Sequence, residues 1–171
     1  MSASYNFKMN LKTPNLDKLA LKFKEKYQAQ VGVIGDKSKR EEKDGLTNAE
    51  LLLIHEKGSF TKNIPRRSVF DSLNTNKNEL SKDIKIIISN DIKQNNPIYA
   101  TYFKIALSML DICREAFFTN GYGKWPPLKQ KTIDNKLRKI SKKSKGNANM
   151  LTLVDSGSLL RSFTFRVKKM K

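Results

Sequence analysis

Apolar side chains in this chain recur mainly at three- and four-residue spacing, the period of helices that bury one face. The first such stripe lies in residues 10–30, where Leu16, Leu19, Ala20 and Phe23 are extended by Tyr27, with Asn15 after Pro14 as the capping residue. Val31-Gly-Val-Ile34 then reads as a short strand closed by a turn at Gly35, and the charged stretch 36–45 reads as a loop. Thr47-Asn-Ala-Glu50 has the form of a capping box, in which the Thr hydroxyl accepts a backbone N–H and Glu50 reaches back. The helix it opens carries the apolar run 51–54 and stops at Gly58. Pro65 interrupts regular structure in the segment 60–73, and Phe70 and Leu73 begin the next helix.

Two long helices fill the middle. Leu80, Ile84, Ile87, Ile88 and Ile92 form one stripe. Pro97 breaks the chain and opens a second helix with Tyr102, Ile105, Met109, Ile112, Cys113, Ala116 and Phe117, ended by Gly121 and Gly123. This aromatic and methionine stripe reads as core rather than as a ligand pocket, and the two helices form a hairpin or pack on a common sheet. Trp125-Pro-Pro-Leu128 comes next as a rigid aromatic turn. The stretch 131–149 is polar and basic, with Ile133, Leu137 and Ile140 as the face of a short helix. Order returns at 151–154, turns at Asp155-Ser-Gly157, and continues through 158–167, where Phe163, Phe165 and Val167 alternate as on a half-buried strand. The pattern predicts an α+β fold in one domain spanning 1–171. A small, mostly antiparallel sheet containing 31–34 and 163–167 carries the two long central helices on one face.

Charge adds what periodicity does not show. Lys and Arg number 34 against 16 Asp and Glu, a formal +18 over 171 residues. So much like charge repels itself and attracts polyanions, with nucleic acid or an acidic protein as the partner and a solvated lysine surface as the plainer account. The excess is mostly Lys; Arg, the usual reader of phosphates and bases, is scarce. Between Lys124 and Lys145 nine basic residues face one acid, Asp134, so this block alone carries +8. With few apolar anchors, its portion 136–149 is expected to be mobile in the free chain and ordered in an assembly.

Catalytic patterns do not emerge. One histidine, His55, and one cysteine, Cys113, fall short of a zinc site, and His55-Glu56 lacks the second His of a metalloprotease helix. There is no Gly-x-Ser-x-Gly elbow and no Walker loop, and no tight Asp/Glu constellation stands out for magnesium. The expectation is a non-enzymatic protein with no cofactor and no metal. Cys113, inside an apolar stripe, reads as a buried, inert thiol suited to a reducing cytoplasm. No apolar run reaches the ~18 residues of a membrane span, so no membrane partner is expected.

Three segments in order carry a resemblance. The first is 48–58, Asn-Ala-Glu-Leu-Leu-Leu-Ile-His-Glu-Lys-Gly, succeeded by Ile64-Pro-Arg-Arg67 and Phe70. The second is Trp125-Pro-Pro-Leu128 with Thr132 and Lys136. The third is Leu153-Val-Asp-Ser-Gly-Ser-Leu-Leu-Arg-Ser-Phe163. Together they resemble the phage virion morphogenesis and tail-completion family, related to minor tail and head–tail joining proteins. In that family a helix ending in IHE-x-G precedes an IP-x-R-x-F segment, and W-x-PL and LVD-T/S-G-x-L-x-x-S motifs come later. Arg67 and Ser68 depart from it, standing near the phenylalanine where a second proline is usual.

The resemblance implies a structural protein that completes the tail or the head–tail junction, assembled in the host cytoplasm and resident in the virion. It implies a homo-oligomeric ring, often sixfold, contacting neck or connector and tail-tube proteins, with non-specific contact to packaged DNA. A non-specific nucleic-acid-binding protein outside any virion is the alternative. The residues expected to meet DNA or a partner are Arg66 and Arg67, held out by Pro65, and Lys142, Lys143 and Lys145. Trp125 is expected to be a core lid or an interface anchor, with core preferred, and His55 a polar helix-end residue bonded locally.

Overall fold

The computed structural model describes residues 25–39, 45–142 and 151–170. Strand β1 (Tyr27–Val33) pairs antiparallel with β2 (Phe163–Lys169), with Val31 opposite Phe165 and Val33 opposite Phe163. Directly opposed residues share a face. Tyr27, Ala29, Val31 and Val33 therefore lie with Phe163, Phe165 and Val167 on one side, and Gln28, Gln30, Arg166 and Lys168 on the other. Between the strands, the described residues form a short 3-10 turn (Gly35–Ser38) and six α-helices: α1 (Asn48–Lys57), α2 (Asp71–Thr75), α3 (Lys77–Lys93), α4 (Ile98–Phe118), α5 (Gln130–Lys142) and α6 (Ser158–Ser162). The fold is α+β, with the two-stranded sheet packed against the long helices: α4 crosses both strands, and α3 lies along α4.

The apolar face of the sheet meets α4 through aromatic contacts. Tyr27 meets Tyr99 and Tyr102, Phe165 meets Phe103, and Phe163 meets Phe117 edge-on at 5.4 Å between centroids. The fully buried positions of α4 are Thr101, Ala106, Leu110, Cys113, Ala116 and Phe117. The expected stripe coincides with these over Cys113, Ala116 and Phe117. Tyr102, Ile105, Met109 and Ile112 are half-buried instead, because α4 is covered on two sides and no single line of residues marks its interior. Burial pushes the Cys113 thiol up to about 12. The α3–α4 hairpin closes on Asp91, only 2% exposed, whose carboxylate accepts from Thr101, Asn96 and Lys104. Burial alone would raise its pKa; these bonds outweigh burial and hold it below the usual range.

One expectation changes. Residues 27–30, read as the end of the first helix, are strand, because pairing with 166–169 satisfies their backbone and sets Tyr27 on α4. The rest of that expected helix, 10–24, lies outside the described residues. In the basic segment, residues 136–142 are the second half of α5, and Lys136 donates to the carbonyls of Leu151 (2.8 Å) and Val154 (2.6 Å). Residues 143–149 lie outside the described residues.

Candidate functional site

The local signals of the first motif are realised together. Thr47 accepts from Glu50 N–H while the Glu50 carboxylate accepts from Thr47 N–H, closing the capping box at the start of α1. At the other end Gly58 has φ 73°, and a Cβ there would sit 3.0 Å from Ile64 O and Arg66 N. Only glycine serves both the left-handed turn and the close return of the chain. That return is fixed by paired backbone bonds between Ser59 and Ile64 and by Arg67 N–H donating to His55 O at 2.8 Å.

Glu56 organises the turn from this return into α2. Its carboxylate accepts from the Ser68 hydroxyl, from Val69 N–H at 2.6 Å and from Phe70 N–H at 3.2 Å. Ser68 O in turn accepts from the Trp125 indole N–H at 3.0 Å. Arg67 runs the opposite way: Nε donates to Pro126 O at 3.0 Å and Nη2 to Pro127 O at 2.9 Å. The third motif joins through Ser158, whose hydroxyl donates to Asn48 Oδ1, and through Val154, Leu159 and Phe163 in the core. Three segments far apart in sequence thus form one contiguous unit.

The predicted site residues fall in different places. Trp125 is core, 9% exposed and edge-on to Phe117. Arg67 is 7% exposed and is not held out toward a polyanion; its guanidinium bonds to two backbone carbonyls. Sequence does not show this bonding, because the carbonyl acceptors lie far along the chain and no feature near Arg67 announces them. Arg66 is exposed, but it pairs with Asp71 through two bonds, which hold that carboxyl below its usual range. Lys142 closes α5, and Lys143 and Lys145 lie outside the described residues. The arrangement brings Arg67 and Trp125 together and leaves Arg66 apart. Sequence reasoning misses Glu56 and Asn48 as organising residues, although both stand inside the first motif.

Between α1, α5 and the 151–155 segment lies a groove of about 600 Å³. Leu51, Leu128, Leu153 and Val154 give it an apolar floor; His55, Arg67, Thr132, Asn135, Lys136, Arg138 and Asp155 supply its polar lining. His55 is half-buried and its Nδ1 is buried without a hydrogen-bond partner. Burial, with the charge of Arg67 adding to it, lowers its pKa from 6.5 to about 4. His55 is therefore not the locally bonded helix-end residue expected from sequence. The unfolded chain binds this proton more readily than the folded one, so stability is full above about pH 6.5 and falls as pH drops toward 4. Allowing for partial exposure, the loss is about 1–2 kcal/mol. His55→Gln should flatten urea-unfolding stability across this window, since this is the one histidine in the chain. An unchanged slope in the variant would refute the assignment.

Among the described residues no cluster of three or more His, Cys, Asp or Glu side chains is placed to hold a metal ion. No described helix is long and apolar enough to cross a membrane. Comparison with protein families, characterised proteins and solved structures finds no match.

Proposed function

We propose that the chain is a non-enzymatic structural protein of a tailed-phage particle, forming part of a ring at the tail end or head–tail junction. The observation that carries this reading is the convergence of the three motif segments. The residues that prompted the resemblance are the ones that hold one another: Gly58 against 64–66, Glu56 on 68–70, Ser68 on Trp125, Arg67 on Pro126 and Pro127, and Ser158 on Asn48. Mutual contacts of this kind are what the resemblance expects of residues that share one architecture. The +18 charge supports the same reading, since basic subunits around a channel multiply the potential felt by DNA without any base recognition.

The test is deletion of the chain from the genome that encodes it, with imaging of the particles. The expected outcome is filled heads without joined tails, restored when the chain is supplied in trans and located at the neck or tail end. Normal tailed particles after deletion would overturn the proposal. A non-specific nucleic-acid-binding role outside a virion is the second reading, favoured only by the charge. It expects intact particles together with DNA affinity that falls steeply with salt.

A further inference from the structure

We propose that the groove between α1, α5 and the 151–155 segment receives an acidic side chain from an extended segment of a partner protein, its carboxylate pairing with Arg67 while flanking apolar side chains rest on the groove floor. The inference rests on reading the chain as an assembly protein, and adds the chemistry of a neighbour.

The argument starts from an unbalanced charge. Arg67 is 7% exposed, and among the described residues no carboxylate pairs with it. Nε and Nη2 donate to Pro126 O and Pro127 O, while Nη1 has no hydrogen-bond partner among the described residues. Carbonyl dipoles satisfy donors but do not cancel a full charge, and a buried cation without a counter-ion is a costly state. An external carboxylate relieves it.

Two further observations point to the same place. His55 lines the groove as well, and its Nδ1 is buried and without a hydrogen-bond partner. The other charges lining the groove are Lys136, Arg138 and Asp155, so cations outnumber the single carboxylate there. An acidic occupant meets complementary charge there. A DNA duplex presents its phosphates along a broad convex surface, which suits exposed lysines better than a guanidinium that is 7% exposed and lines a groove. A single extended segment can enter the groove, and the volume of about 600 Å³ admits several of its side chains.

The test is NMR titration of the full chain with N-acetyl-Leu-Glu-Leu-amide, with its Gln counterpart and with a short DNA duplex. The Glu peptide should shift the His55 ring and the Leu51 and Leu128 methyls saturably. The Gln peptide should bind at least about tenfold more weakly, because the charge-assisted pair is lost. Arg67→Met risks the fold, since it removes the bonds to 126 and 127. Thr132→Trp instead fills the groove from its exposed wall and should abolish the shifts while leaving the unfolding curve in place. Equal binding of the two peptides, no saturable shift, shifts that survive Thr132→Trp, or stronger shifts of the same signals by the duplex would each overturn the proposal. A chain found at the neck of particles but blind to the Glu peptide would sink this inference and leave the structural role standing.

Discussion

Trp125→Ala should lower the unfolding free energy of the isolated chain by about 3–5 kcal/mol, the range for truncating a large buried aromatic. The indole is 9% exposed, stands edge-on to Phe117 at 5.9 Å between centroids, and donates to Ser68 O at 3.0 Å. Alanine removes the packing and the donor together, and the surrounding helix and loop cannot close over the space without moving Phe117. Trp125→Phe keeps most of the packing and loses the hydrogen bond, so its cost should be nearer ~1 kcal/mol. Circular dichroism is the proper readout, because Trp125 is the one tryptophan and fluorescence vanishes with it. A residue whose purpose is an intersubunit contact behaves differently, sparing the monomer and disabling assembly. Wild-type stability in Trp125→Ala would return the residue to that role. Gly121 belongs to the same unit: a Cβ there would fall inside the indole, and its φ of 65° already disfavours other residues.

What the sequence reveals of this fold divides by range. The capping box at Thr47, the stop at Gly58 and the opening of α4 after Pro97 are legible because each depends on neighbours within one helical turn. The alternation in 163–167 is legible as a half-buried strand, and β2 extends it only to Lys169. The strand end of the first stripe is not. Tyr27 continues a helical spacing from Phe23, and nothing near it in sequence announces that Lys169 will pair with it. Arg67 shows the same limit at the site. Beside Arg66 and after a proline it reads as a projecting cation, yet its hydrogen-bond acceptors lie 59 and 60 residues later. The convergence of the three motifs is not legible, since composition and periodicity carry no information about which loops meet. Lys136 is a further case: nothing near it in sequence announces that it will donate to the carbonyls of Leu151 and Val154.

Glu56→Ala should cost about 3 kcal/mol, more than the loss of an ordinary surface acid by a wide margin. The side chain receives the Ser68 hydroxyl and the N–H groups of Val69 and Phe70, at the entry to α2 where helix geometry leaves backbone donors without partners. Val69 is fully buried, so its N–H has no water to turn to once the carboxylate is gone. Bonds to a charged acceptor are about twice as strong as neutral ones, and an orphaned buried donor adds its desolvation penalty. Glu56→Gln retains one acceptor oxygen but turns an amide donor toward Ser68, whose hydroxyl oxygen already accepts from Asp71 N–H at 3.0 Å. It should therefore recover only about half of the loss. Since Ser68 O holds the Trp125 indole, the damage should spread: amide exchange should accelerate at 68–70 and at 125 together, while the Asp91 network at the far end of α4 keeps its protection. Stability within about 0.5 kcal/mol of wild type in Glu56→Ala, the usual range for a surface change, would mean that these bonds are not formed in solution.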